Sequence, residues 1–551
     1  MTNLKFLALS GTTGVTENLY IYEYGNDMII VDCGVGFPDA EMFGVDLIIP
    51  DFEYIKKNQD KLRGIVITHG HEDHIGGLPF LMKTIKEVPI YSTKLVSGFI
   101  EEKWKDHKLH LKKVNVFNAE DDVIRLGCFT ITPFRISHSV PDSVGFVIDT
   151  PEGRMFHVAD FKFDWTPVDG KPFDITKAAM LASKPVLSMA CDCLGSTSPG
   201  YTESEREIEK RLHPIITEAK GQVYFSTISS NISRMQQAIR VAESAGRKVA
   251  FIGRSIDVKA GIAKEFGYLH YPDGLVISPK ALLKLPKEKR MFIISGSYGQ
   301  AGSALYRAAM GEHDFLKIEK EDTVIFSGDP APPGSKAAVD FVVDHLIRMD
   351  ADVHYYDLQE DLHVSGHGCQ KDIEMLLAMV KPKYLTPIGG TVRHMHAFSQ
   401  MAQGMGFEEK EVFKLSAGDI VEFSHGQAKV TDHITVRSVL VDGLGIGDVG
   451  SVVLRDRQVL AEEGIAIALI KYDVNSKQLI TDPEIISRGF VFQGKMQNFL
   501  NEVGKELRHR IQTLKEIEPQ SIKAITIDYL EKFFYAETGR RPMVLPVIVE
   551  I

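Results

Sequence analysis

Short apolar or alternating runs, each closed by Gly, Asp or Asn, dominate the first third of the chain. Asn18 to Tyr24, Met28 to Val31 and Gly64 to Thr68 carry this pattern, which predicts β-strands bounded by turns. The stretch Gly77 to Val88 predicts a helix on the flank of that sheet. From about Tyr201 the period lengthens. Glu203 to Leu212 and Ser233 to Ala245 predict helices, alternating with strands at Gln222 to Ser226 and Lys248 to Ile252, the pattern of βα units around a parallel sheet. In the tail, Phe499, Val503, Leu507, Ile511 and Leu514 recur at helical spacing, followed by strand-like runs at Ile525 to Ile527 and Val544 to Val549. The Gly-rich run Asp442 to Asp448 predicts a linker or sharp turn; with no Lys-Ser/Thr behind it, it is no phosphate-binding P-loop.

At 551 residues the chain is long enough for two to four domains. Hydrophobic residues at 44% and charged residues at 25% are ordinary for a globular protein and exclude a disordered or fibrous class. The start lacks the long apolar core of a signal peptide, and no apolar run reaches membrane-spanning length, so a cytoplasmic location away from membranes is expected. Five scattered cysteines imply no disulfide framework. Cys191-Asp192-Cys193 is a poor zinc site, because no second cysteine pair follows it to complete a donor set. A net charge of −11 argues against non-specific coating of nucleic acid, though not against a basic channel on an acidic body.

Chemistry enters at His69-Gly-His71-Glu-Asp73-His74, directly behind the strand Gly64 to Thr68. Three imidazoles and a carboxylate in six residues at a strand end form a donor set for zinc or manganese, ions that turn bound water into a nucleophile near neutral pH. The alternative, a polar loop with histidines clustered by chance, fits this pattern poorly. Four residues do not close two metal shells, so further donors must come from later strand ends. His138 and Asp160 each follow a β-like run and are the candidates, although a lone His or Asp is more often structural.

In order and spacing, His69-x-His71-x-Asp73-His74, then His138, then Asp160 resemble the metal-binding motifs of the metallo-β-lactamase superfamily. The resemblance implies an α/β fold, a four-layer αββα sandwich. His69, His71 and His138 would hold one metal, Asp73 and His74 the other, and Asp160 would bridge them. Further runs resemble the ribonuclease J family: Ser229-Ser-Asn-Ile-Ser-Arg234, Phe251-Ile-Gly-Arg-Ser255, Ser295-Gly-Ser297, His363-Val-Ser-Gly-His367, Ser487-Arg-Gly-Phe490 and Arg540-Arg-Pro-Met-Val-Leu-Pro546. They imply a β-CASP α/β domain inserted in the sandwich and a small α+β C-terminal domain. The expected boundaries are 1–200 and 355–435 for the sandwich, 201–354 for the insertion, 436–460 for a linker and 461–551 for the C-terminal domain.

The same resemblance implies a metal-dependent RNA hydrolase of RNA processing and decay, with 5′-to-3′ exonuclease and endonuclease action. Two divalent ions are expected, zinc first, with manganese or magnesium as alternatives. The implied partners are 5′-monophosphorylated single-stranded RNA, further copies of the chain as a homodimer or homotetramer, and an RNA-decay complex. Catalytic roles would fall to Asp73, His74 and His367, and substrate binding to Ser230, Asn231, His363, Ser365, Gly366 and His367. Small hydroxyl and amide groups ahead of a helix do suit a phosphate, though a helix cap is an equally good reading of Asn231. Asp192 could orient a metal-binding imidazole from behind, or be an ordinary loop residue. One departure stands out. Where the family places a last metal-binding histidine, in a Pro-x-His-Gly-Glu run, this chain has Pro387-Ile388-Gly389-Gly390-Thr391, so the second metal site is in doubt. An RNA-binding paralogue of weak or no activity is therefore the alternative, and a small-molecule metallo-hydrolase a more distant one.

Overall fold

The computed structural model describes residues 2–39, 41–328, 335–356, 360–443, 445–489 and 496–551. Two compact units emerge. One joins the chain up to Phe37 with Leu47–Val439; the other joins Pro38–Asp46 with Leu440–Ile551.

In the first unit an eight-stranded and a six-stranded sheet carry the sandwich. Phe6, Tyr20, Tyr22 and Ile29 of one sheet meet Phe129, Ile131, Phe146 and Tyr384 of the other in one buried layer. Behind the second sheet, Phe134, Phe156 and Met189 pack against Ile373 and Leu376 of helix Gln370–Val380 and Phe398 of helix Val392–Gly404. This is the four-layer αββα sandwich. Its sheets use chain from both sides of the insertion: Leu4–Ser10 pairs antiparallel with Asp419–Ser424, and Val186–Asp192 lies parallel to Tyr384–Ile388.

The inserted domain is a five-stranded parallel sheet built from Val223–Ser226, Lys248–Ile252, Arg290–Ile294, Thr323–Phe326 and Asp352–His354. Tyr224, Phe292, Ile294 and Phe326 bury one face under Val339 and Val342 of helix Ser335–Arg348. The second unit has strand Ile465–Asp473 flanked by Glu484–Arg488 and, in parallel, by Met543–Glu550. Helices Met496–Gln512 and Pro519–Thr538 bring Val503, Leu507, Ile511, Ile522 and Leu530 into its core. Among the described residues no helix is long and apolar enough to cross a membrane.

Several local expectations are corrected. The helix expected over Gly77 to Val88 is one turn, Leu78–Leu81, because Thr84 uses both its N–H and its hydroxyl on Leu81 O and closes the turn. The helix expected from Glu203 starts at Glu207 and runs to Glu218. Ser204 Oγ and Glu205 N are instead committed to the Asp164 carboxylate at 2.7 and 2.8 Å. Ile525 to Ile527, expected as a strand, lies inside helix Pro519–Thr538, where burial of Ile522, Thr526, Tyr529 and Phe534 at helical spacing overrides β-branched preference. The sharp turn expected within Asp442 to Asp448 agrees with the antiparallel pairing of Val441 and Asp442 with Ile446 and Gly445, and Ser451–Glu462 behind it is helical. Leu444 of that run, and Phe490 of the Ser487 run, lie outside the described residues.

Candidate metal centre

Strand Leu62–Val66 feeds the loop that carries His69 to His74, and Asp32, at the end of strand Asp27–Val31, fixes that loop. Its carboxylate accepts from Thr68 N at 2.8 Å and Thr68 Oγ1 at 2.7 Å and meets His74 Nδ1 at 2.8 Å. Asp160, Asp192 and Gly389 come at or just beyond the ends of three adjacent parallel strands, Gly153–Val158, Val186–Asp192 and Tyr384–Ile388. Parallel strands deliver successive ends to one rim of a sheet, which is why residues far apart in sequence converge here.

The donors gather around one oxygen. Asp160 Oδ2 lies 3.5 Å from His69 Nε2, 3.5 Å from His74 Nε2, 3.6 Å from His138 Nε2 and 3.7 Å from His367 Nε2. His71 turns its Nδ1 inward, 3.2 Å from His69 Nε2 and 3.1 Å from His138 Nε2, while its Nε2 faces Ser139 Oγ. Burial keeps His69 and His71 well below the usual histidine pKa, helped by the neighbouring imidazoles, and brings His138 down to about 3. Neutral rings whose nitrogens face one another beside a carboxylate are the donor chemistry a divalent cation accepts. Three sets of ligand atoms lie within 4.8 Å of one another, His69, His71, His138 and Asp160 in the first, Asp73, His74 and Asp160 in the second, and Asp160, Asp192 and His367 in the third, where Asp192 also backs the His367 ring. The residues therefore fit two ions that share Asp160.

Each inward-facing imidazole is held from behind. Nδ1 of His69 meets Thr68 Oγ1 at 3.0 Å, that of His74 meets Asp32, that of His138 meets Gly366 O at 2.8 Å, and that of His367 meets Asp192 Oδ2 at 2.7 Å. This backing fixes tautomer and aim. Burial disfavours the charged form of His74 and His367, yet the surrounding carboxylates prevail: Asp160 and Asp32 raise His74, and Asp192 and Asp160 raise His367 to about 9. Gly366 leaves room for the His138 ring, since a Cβ there would lie 2.6 Å from His138 Cε1.

On the inserted-domain side, Asn231 caps helix Ile232–Ser244, its Oδ1 accepting from Arg234 N at 2.9 Å. The helix-cap reading thus holds for that oxygen. Ser230 is buried beside it. Arg234 is fully buried, donates to Glu205 and Ser327, and reaches Val364 O at 3.4 Å, which ties the helix start to the turn His363–His367. In that turn Ser365 Oγ accepts from His367 N at 3.0 Å, and His363 Nδ1 is buried with no hydrogen-bond partner among the described residues.

Sequence reasoning missed Asp32 and Asn18. Asn18 Nδ2 lies 3.0 Å from His74 Nε2 and donates to Asp73 O at 3.2 Å. For Asp32 the clue was an acid ending the apolar run Met28 to Val31, the same grammar that precedes His69. Lys259 of the inserted domain, donating to Glu72 Oε1 at 3.0 Å inside the metal loop, left no sequence trace.

Comparison with known proteins gives a consistent result along the chain. Residues 12–188 match the metallo-beta-lactamase superfamily, 220–346 the beta-CASP domain of ribonuclease J, 348–413 the Zn-dependent metallo-hydrolase RNA specificity domain, and 452–551 the ribonuclease J C-terminal domain. Ribonuclease J2 of Bacillus subtilis is 35% identical over 100% of this chain and 99% of its own. Ribonuclease J 1 of Streptococcus pyogenes is 34% identical over 100% and 99%. Among solved structures, a protein of unknown function from Enterococcus faecalis covers 76% of this chain and 100% of its own, at 14% identity and a TM-score of 0.54, a likeness of fold alone.

Proposed function

This chain belongs to the ribonuclease J family and is a metal-dependent nuclease that acts on RNA, and from its site we propose how its residues divide the work. The ring of imidazole nitrogens around Asp160 Oδ2 is the observation that carries this reading. His69, His71, His138 and Asp160 hold one divalent ion; Asp73, His74 and Asp160 hold the other. The nitrogen-rich set suits zinc, with manganese or magnesium as substitutes. When bound, the ions polarise a phosphoryl oxygen and make water nucleophilic near neutral pH.

The chain's own residues position these parts. Asp32 keeps the His74 ring aimed inward, and Asp192 does the same for His367. Ser230, Asn231, His363, Ser365, Gly366 and His367 hold substrate phosphate, supported by the unpartnered His363 Nδ1 and the polar layer around Arg234. His367 stands where the two sets join, and with Asp73 and His74 it is closest to the chemistry. Cleavage proceeds both as 5′-to-3′ exonuclease on 5′-monophosphorylated single strands and as endonuclease. The working form is a homodimer or homotetramer in the cytoplasm, within an RNA-decay complex. Exposed Tyr535, Leu545 and Ile551 support self-association, and five free thiols suit a reducing compartment. The full-length match does not favour a non-catalytic paralogue or a small-molecule hydrolase.

The test is incubation of the purified chain with 5′-monophosphorylated RNA and zinc, manganese or magnesium, beside His74→Ala. Mononucleotides and shorter fragments that His74→Ala abolishes are expected. RNA left intact with every metal would overturn the reading.

A further inference from the structure

The turn His363–His367 is anchored from two sides. On the metal side, Gly366 O meets His138 Nδ1 at 2.8 Å and His367 Nδ1 meets Asp192 Oδ2 at 2.7 Å. Just behind the turn, Gly368 N donates to the carbonyl of Phe161, the residue that follows Asp160, at 2.5 Å. On the inserted-domain side, Ser327 Oγ donates to Leu362 O at 2.9 Å and Arg234 reaches Val364 O at 3.4 Å. A closed cluster of charged side chains joins the two sides.

Lys162, two residues after Asp160, is fixed to the metal side by its own backbone, its N–H donating to Ser137 O at 2.8 Å beside His138. Its Nζ donates to Glu203 O at 3.2 Å and lies 3.7 Å from Asp164 Oδ2 and 3.9 Å from Glu205 Oε2. Asp164 in turn holds Glu205 N at 2.8 Å. The Glu205 carboxylate accepts Arg234 as a fork, from Nε at 2.5 Å and Nη2 at 3.0 Å, while Nη1 of Arg234 donates to Ser327 O at 3.1 Å and Ser327 Oγ at 3.0 Å. No more than 4% of the side chain of Lys162, Asp164, Glu205 or Arg234 is exposed, and the two cations balance the two carboxylates. Such a buried cluster adds little net stability, because desolvation offsets the attraction. What a forked, fully enclosed pair does fix is direction and distance.

We propose that Lys162, Glu205 and Arg234 are positioning residues that set the distance between the phosphate-holding turn and Asp160, and so select which bond faces the metal centre when a 5′-terminal phosphate sits in the turn. This rests on the reading of the turn given above. Breaking the cluster frees His363 to Ser365 from the inserted domain, whereas Gly366 to Gly368 keep their metal-side anchors. Affinity for the terminal phosphate and the length of the first product then change more than the rate of the chemical step. A purely structural role would lower the active fraction and leave KM and product length as they were.

The experiment follows the first product released from RNA carrying a labelled 5′-monophosphate, with zinc, manganese or magnesium, for the full-length wild type, Glu205→Gln and Arg234→Lys, with circular dichroism to confirm folding. Wild type is expected to release mononucleotides. Glu205→Gln, which keeps shape and loses charge, is expected to raise KM by about tenfold or more, hold kcat within about threefold, and release dinucleotides and trinucleotides beside the mononucleotide. Arg234→Lys, which keeps the charge and loses the fork, is expected to shift both readouts in the same direction by less. Unchanged KM with mononucleotides alone in both folded variants overturns the assignment, as does a fall in kcat at constant KM and product length. Failure of both variants to fold makes the cluster a stability element and overturns it too. RNA left intact by wild type with every metal overturns the functional reading and the assignment with it.

Discussion

Lys259 of the inserted domain donates from Nζ to Glu72 Oε1 at 3.0 Å, and Glu72 lies between the metal-loop residues His71 and Asp73. Lys103 of the sandwich holds the other carboxylate oxygen, and the two lysines keep the half-buried Glu72 ionised far below the usual range. The Lys259 ammonium also sits over the Phe99 ring at 5.4 Å. The loop that carries the candidate metal donors is thereby pinned by the inserted domain. Replacing Lys259 with Met removes one of two partners of a carboxylate that keeps some solvent contact, so the expected cost is about 1–2 kcal/mol rather than the larger value of a fully buried broken pair. Urea denaturation measures it. A several-fold drop in kcat with little change in KM, recovered by Lys259→Arg, is the kinetic counterpart; an unaltered kcat would show the latch to be inert.

Asp32→Asn keeps shape but removes the charge behind His74. Loss of such a backing group lowers metal affinity by about 10- to 100-fold. Competition with a chelator should place the whole fall on one site, the one containing His74.

Gly366→Ala puts a methyl 2.6 Å from His138 Cε1 and 3.3 Å from Ser139 Cβ. The backbone there accepts alanine, so the effect is purely one of displacement. Moving His138 by a fraction of an ångström or more should lower activity by about 100-fold while the fold survives, measured as kcat/KM beside a circular dichroism spectrum.

Burial lifts the Glu17 carboxyl from 4.5 to about 7. Below pH 4.5 it is protonated folded or unfolded and costs nothing. As pH rises from there the unfolded chain ionises first, so stability falls until about pH 7 and then levels, by at most about 3 kcal/mol. Glu17→Gln should flatten that slope in urea titrations between pH 5 and pH 8; an identical slope in the variant would mean that the side chain is solvated.

Stripping the ions with a chelator should abolish RNA cleavage and lower thermal stability together. At free metal 100 times Kd, each site adds about 2.7 kcal/mol to the folded state. The difference in melting temperature between stripped and reloaded protein reads this directly.

The centre was legible where donors are contiguous. His69 to His74 announce themselves, because that spacing behind a strand has few uses besides metal binding. His138 and Asp160 needed the resemblance, since a single donor at a strand end has many innocent explanations. Asp32 was hidden for the same reason. Lys259 was hidden more deeply, for its partner is set by how two domains pack, which no local pattern encodes. Elements failed where side chains served a distant partner: Ser204 and Glu205 bond Asp164 instead of opening a helix, and Ile525 to Ile527 follow the burial of Ile522 and Leu530 instead of their own β preference.

The pairing of Leu4–Ser10 with Asp419–Ser424 sets a timetable for the nascent chain. Tyr384–Ile388, the strand leading to Gly389, also follows the inserted domain. A ribosome adding about 5–20 residues per second takes roughly 20–90 s to deliver the closing strands. Until then the first sheet has an open edge and the metal loop lacks a finished frame, while the inserted domain, with its own core, can fold in the interval. Synthesis itself thus delays the moment at which the donor cluster is complete.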